Sequence, residues 1–265
     1  MHIMTIATDM SRAGVSTTVV ALAECLSAQG VRVLVLDLAL DITRCLLPAQ
    51  PRKTIWNLYT LDGAEIADII LPYRGYSIIP IDRAARIQMD ALCSSAGGWS
   101  INSAAINGPE WAYILRAILT STIQDQYDIC LIDGNRSSGY LVDQAIYAAD
   151  TVLIPIDCGT YAVSGAATII DKARIATVHT ERSIAIDAYR IHLTPRVLSG
   201  PPLVRNLADC LADIHHIYDT TIGYSRYADR ILRGYPVCCY HNLHRDMMDL
   251  AVEVIARHNL PVATL

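Results

Sequence analysis

The sequence predicts a doubly wound α/β domain, a mostly parallel sheet with helices on both faces and one core. Three observations carry this. Six short runs rich in β-branched residues, His2–Ala7, Val31–Asp37, Tyr76–Ile81, Asp128–Asp133, Thr151–Ile156 and Tyr189–Leu193, are apolar nearly throughout. Strands that do not alternate are strands buried on both faces. Helix-length segments separate the runs, and strand–helix alternation implies parallel pairing under covering helices. Finally, 265 residues with 52% hydrophobic and 18% charged side chains suit one large core and are short for two. No repeat, low-complexity tract or Pro/Ser-rich linker divides the chain, so 1–265 reads as a single domain.

The opening is strand Ile3–Ala7, small-residue loop Thr8–Ser16, a helix from about Thr17 to Gln29 ending at Gly30, then strand Val31–Asp37. A loop of small residues at a helix N-terminus aims backbone N–H groups and the positive end of the helix dipole at a phosphate. In a working phosphate loop a lysine then reaches the β/γ-phosphates and a Ser/Thr hydroxyl binds Mg2+. Lys53 and Lys172 are the only lysines, so the loop contains none. Further along, Cys93–Pro109, with Ser94-Ser95, Gly97-Gly98 and Gly108-Pro109, reads as a loop before a helix over Glu110–Ile123. His215-His216 reads as the surface end of a helix. The last helix, Asp246–Arg257, spaces Met247, Leu250, Ala251, Val254 and Ile255 for core packing.

Composition narrows the function classes. The net charge of -5 argues against blanket electrostatic binding of nucleic acid, leaving only a local basic patch. The eight cysteines lack C-x-x-C spacing and read as reduced, mostly buried thiols. Cys238, Cys239, His241 and His244 have metal-ligand types without a recognised zinc spacing. No apolar run reaches the roughly 18 residues of a membrane span, which predicts a cytoplasmic protein without membrane contact.

Several segments, in order, resemble the ParA/MinD family of deviant P-loop ATPases, whose opening strand runs into KGGVGKTT and a helix. Keeping Met4-Thr5-Ile6-Ala7 on the strand and Leu22-Ala23 on the helix sets Gly14-Val15-Ser16-Thr17 on GKTT, with Val15 in place of the lysine. A register with a two-residue deletion sets Arg12-Ala13-Gly14-Val15-Ser16-Thr17-Thr18 on KGGVGKT, with Thr17 at the lysine and Arg12 at the extra signature lysine. Tyr127–Asp133 resembles the strand ending in the Mg2+-associated aspartate, although Gly134-Asn135-Arg136 replaces the usual T-P-P. Gly139, then Ala145 and Ala149-Asp150-Thr151-Val152-Leu153-Ile154-Pro155, is similar to the AADEVLIP stretch, and Tyr161-Ala162-Val163-Ser164-Gly165 to YFALEG. Tyr76-Ser77-Ile78-Ile79-Pro80 is similar to a strand ending in Ile-Pro. Asp219-Thr220-Thr221-Ile222 and Gly234-Tyr235-Pro236-Val237 are similar to DTVIP and GKPV.

The resemblance implies a P-loop NTPase-like fold and a nucleotide site over Arg12, Ala13, Gly14, Val15, Ser16, Thr17, Thr18 and Asp37. It implies Mg2+ near Ser16 and Asp133, the latter open to the plainer reading of a polar strand end. ATP and Mg2+ are the implied ligands, but Ala39 stands where a second strand-end aspartate would help place water, with Asp41 two residues on. Hydrolysis is therefore expected to be weak or absent, since phosphoryl transfer rests on positioning and charge stabilisation. Implied partners are a second copy of the chain, a ParB-like or other adaptor, and nonspecific DNA through Arg226, Arg230 and Arg233, with Arg196 and Arg205 as weaker candidates. The last helix carries too few basic residues for a MinD-type membrane tail. The functional expectation is ParA-like partitioning or positioning of DNA or a large cargo, nucleoid-associated. The alternative is a pseudo-ATPase scaffold such as an accessory protein of secretion or polysaccharide synthesis.

Overall fold

The computed structural model describes residues 1–10, 12–60, 65–95, 111–134, 140–157, 162–192 and 212–262. Its strands are β1 His2–Ile6, β2 Val33–Asp37, β3 Leu71–Tyr73, β4 Tyr76–Ile79, β5 Ile129–Asp133, β6 Thr151–Asp157, β7 Ala185–Ile191 and β8 His216–Ile222. The α-helices among the described residues are α1 Val15–Ala28, α2 Asp41–Leu46, α3 Ile55–Tyr59, α4 Arg83–Ser95, α5 Trp111–Thr122, α6 Tyr140–Ala148, α7 Ala162–Thr180, α8 Ala228–Ile231 and α9 His241–His258.

The strands form one eight-stranded sheet in the order β3-β4-β2-β5-β1-β6-β7-β8. Every pairing is parallel except β3 with β4, which is antiparallel. Both faces are covered, as the apolar runs require. Met4, Ile6, Val33, Val35, Ile129 and Leu131 pack with Val19, Leu22 and Leu26 of α1 and Met247, Leu250 and Val254 of α9. The alternate residues Ile3, Leu34, Leu36, Cys130 and Ile132 pack on the other face with Met89 of α4, Leu115 and Leu119 of α5 and Leu141 of α6. Beyond them Val152, Ile154, Ile186 and Ala188 meet Ile169, Ile170 and Ala173 of α7. Period-two alternation thus feeds two cores from one set of strands.

Chain order departs from β1 toward β2 on one side, while β6 lies on the other, so β1 marks the switch point at whose C-terminal end α/β proteins bind ligands. The loop after β1 occupies that position.

Several boundaries differ from the sequence expectation. The first helix begins at Val15 rather than Thr17, and the last begins at His241, bringing His241 and His244 into its first turn. No side-chain cap marks that start, which hides it from sequence. The strand expected over Tyr189–Leu193 is Ala185–Ile191, because the buried Asp187 interrupts its apolar run. His215-His216 does not end a helix: His216 opens β8 and His215 Nδ1 accepts the Ile186 N–H at 2.9 Å. Cys93–Ser95 belong to α4, and 96–109 of the expected loop lie outside the described residues. Strands β3 and β8 have no apolar run to mark them, because one is a three-residue edge containing Pro72 and the other carries Asp219, Thr220 and Thr221.

Candidate phosphate-loop site

The loop between β1 and α1 closes on apolar contacts. Gly14 is the N-cap of α1 with φ 75°, a left-handed conformation that glycine adopts without strain, and the Thr18 N–H donates to its carbonyl at 2.8 Å. Helix onset at Val15 favours the ungapped register, which puts valine, not threonine, at the lysine position. Val15 is fully buried and Ala13 nearly so, both in the core beneath α1. Ser16 and Thr18 are also buried, Thr17 is half-buried and Arg12 is exposed with φ 62°. The Thr18 hydroxyl lies 2.9 Å from the Tyr189 hydroxyl, so it turns into the sheet and away from the loop. Arg12 through Thr18 therefore share one loop and helix turn, but only part of the set faces outward.

Helix α7 presses on this loop from the far side. The Asp9 N–H donates to the Gly165 carbonyl at 3.3 Å, and Met10 packs over Gly165 while joining the core. A Cβ at Gly165 would stand 2.5 Å from Met10 Cγ and 3.1 Å from Met10 N. Only glycine lets loop and helix meet this closely. Counted on the ungapped register, Met10 stands at the signature lysine of KGGVGKTT. On that register the two cationic positions of the motif fall on apolar residues, Val15 buried and Met10 half-buried against the core. Elsewhere, Lys53 Nζ lies 2.6 Å from Asp68 and Lys172 Nζ 2.5 Å from Asp143.

Asp37 and Asp133 end adjacent parallel strands in register and are both fully buried. Asp37 is committed to the backbone: Oδ1 accepts from Ala39 N at 3.0 Å and Leu40 N at 2.8 Å, and Oδ2 from Thr43 N at 2.6 Å. It shapes the turn into α2 as an internal cap. Burial pushes its carboxyl up to about 6, against the N–H donors that favour the anion. Ala39 is buried and its carbonyl accepts from Arg86 at 3.1 Å, whereas Asp41 is exposed at the start of α2. Asp133 and Ser16 border the end of β1, one closing β5 and the other in the first turn of α1.

The arginines of the C-terminal third form a separate exposed group. Arg226 and Arg230 set their guanidinium carbons 4.7 and 5.0 Å from the centroid of the Tyr227 ring, which itself stacks on Tyr240 at 5.4 Å. Arg233 pairs with Asp229 at 2.8 Å. Beside them a cavity of about 450 Å³ is lined by Arg226, Tyr227, Tyr240, His241 and Arg245. Arg196 and Arg205 lie outside the described residues, as do Asn135, Arg136, Gly139 and Tyr161. Among the described residues no three His, Cys, Asp or Glu side chains converge as a metal site, Cys238, Cys239, His241 and His244 included. No described helix is long and apolar enough to cross a membrane. Sequence reasoning missed the Met10–Gly165 contact; its one trace was Gly165 falling on the glycine of YFALEG.

A parallel sheet of this order, with a glycine-capped helix opening after the central strand and carboxylates ending β2 and β5, defines the P-loop NTPase class of fold. The chain belongs to the ParA/MinD family of P-loop ATPases: a family model described as an AAA domain (AAA_31) matches residues 1–186. Sporulation initiation inhibitor protein Soj of Bacillus subtilis is 26% identical over 269 residues, covering 96% of this chain and 98% of Soj. Among solved structures, the ATP complex of a Cyanothece McdA variant superposes with a TM-score of 0.77 at 21% identity, over 100% of this chain and 99% of that one. A plasmid partition protein of Borrelia burgdorferi bound to AMPPNP gives 0.72 at 18%, over 97% and 98%. Cobyrinic acid a,c-diamide synthase of Mycobacterium smegmatis with ADP and magnesium gives 0.74 at 17%, over 100% and 99%.

Proposed function

We propose that this chain is a ParA-like protein that positions or partitions DNA or another large cargo, with ATP hydrolysis impaired or absent. The carrying observation is the buried Val15 at the first position of α1, where the phosphate-loop lysine would stand. Backbone N–H groups and the dipole of the 14-residue α1 still offer an anion site. Ser16 and Asp133 would supply hard oxygen donors of the kind Mg2+ takes. Those residues fit a bound nucleotide; with no ammonium for the transferring phosphoryl and Ala39 in place of a carboxylate, they do not fit its hydrolysis. Kinship with Soj along nearly the whole chain, and with proteins named for plasmid partition, supports the positioning role. The exposed Arg226, Arg230 and Arg233 are the proposed contacts to DNA phosphates, and a second copy and an adaptor are the proposed protein partners.

A pseudo-ATPase scaffold is the second reading, favoured by the burial of Val15 and the packing of Met10 against the core and Gly165, which anchor the loop on the protein's own side chains. Thermal unfolding in millimolar Mg-ATP separates the two. A ligand of micromolar affinity stabilises the fold by about 4 kcal/mol, with turnover at background. An unmoved transition removes the nucleotide switch and leaves the scaffold.

A further inference from the structure

At the end of the sheet opposite the phosphate loop, the N-terminal ends of β1, β6, β7 and β8 meet the last turn of α9. Two histidines from the two ends of the chain stack there: the His2 and His258 rings lie 4.2 Å apart at 27°. His2 Nε2 is 3.1 Å from the Thr151 hydroxyl, and His258 Nε2 is 3.1 Å from the Tyr218 hydroxyl. That hydroxyl also lies 3.4 Å from Asp187 Oδ2, and Asp187 is fully buried. The His258 side chain is only 7% exposed and sits 3.7 Å from Asp187.

Asp187 is already engaged. Arg257 reaches both of its oxygens at 3.4 Å, so a proton on His258 would add a second cation beside a carboxylate that has one. The other charged or titratable groups facing the ring pair are His216 and Tyr218 of β8, Arg257 of α9, Arg116 of α5, the amino terminus, and Asp150 at the foot of β6. Arg116 and Arg182 hold Asp150 at 2.9 and 3.7 Å.

We propose that this cluster is a proton-operated latch: the neutral, stacked His2 and His258 dock the C-terminal end of α9 on the sheet, and acidification releases it. Burial first, then His2 and Arg257, pull His258 down to about 3 from an ordinary 6.5, and burial also lowers His2. A folded value below the unfolded one makes docking complete above about pH 6.5 and progressively lost as pH falls from there toward 3. At pH 5 the released His258 gains about 30-fold in population over the docked one by linkage alone. Because α9 and α1 share one apolar cluster, release loosens the helix that carries the phosphate loop.

Hydrogen exchange of the amides in 250–260, corrected for intrinsic rates, tests this between about pH 7.5 and pH 5, with imidazole titration followed by NMR. Protection is expected to fall about 30-fold or more while Ile129–Leu131 in central β5 stay protected. In His258→Gln, which still hydrogen-bonds Tyr218 without titrating, the loss shrinks to the His2 share, and it vanishes when His2→Gln is added. Unchanged protection at pH 5, a loss shared equally by β5, or a double variant with undiminished pH dependence overturns the latch. Should the variants fail to fold, the wild-type His258 resonance decides: titration at or above 6.5 overturns it.

Discussion

Asp37 shows how a single side chain changes meaning once its surroundings are known. The resemblance places it in a nucleotide site, and in the fold its two oxygens take three backbone N–H groups and build the turn into α2. With the carboxyl raised to about 6 by burial, the folded state holds its proton to higher pH than the unfolded state does. Its contribution is therefore present below about pH 4 and lost as pH rises through 6. The stability advantage of the wild type over Asp37→Asn should shrink across that window by on the order of 3 kcal/mol. Urea unfolding at closely spaced pH values measures it, and a difference flat with pH would contradict the assignment.

Elements are coupled at the loop by Met10 and Gly165. Helix α7 approaches so closely that a methyl group on residue 165 meets Met10 Cγ at 2.5 Å, near the root of that side chain, with the Met10 backbone nitrogen next at 3.1 Å. Gly165→Ala should cost about 1–3 kcal/mol by overpacking, and Met10→Ala, by removing the obstructing side chain, should recover part of it. A double-mutant cycle on denaturant midpoints reads the coupling; strict additivity would show that loop and helix do not bear on each other. Val15 acts at the same junction: a buried valine at the head of α1 joins the loop to the core.

Across the whole molecule, a net charge of -5 coexists with a local cationic face built on Tyr227. Replacing Arg226, Arg230 and Arg233 together with glutamine should weaken DNA binding uniformly across sequences and lower the salt slope by about 2–3. Arg233 contributes least, because Asp229 already pairs with it. Fluorescence anisotropy across a salt series measures both quantities, and an unaltered slope would remove the patch from the DNA contact.

The sequence alone carried the sheet class, the position of the loop, the absence of lysine from it and the family. Those properties are local: apolar runs, small-residue turns and motif order survive without knowledge of distant contacts. The tertiary structure decided where α1 begins, that Met10 seats on a glycine some 150 residues away in sequence, and that Asp37 serves the backbone. It also brought His2 and His258, at opposite ends of the chain, ring to ring. Helical and strand periodicity report which face of an element is buried but not which other element covers it. That pairing is fixed by packing between segments remote in sequence, and in this protein it anchors the loop after β1 on the core through Val15 and Met10.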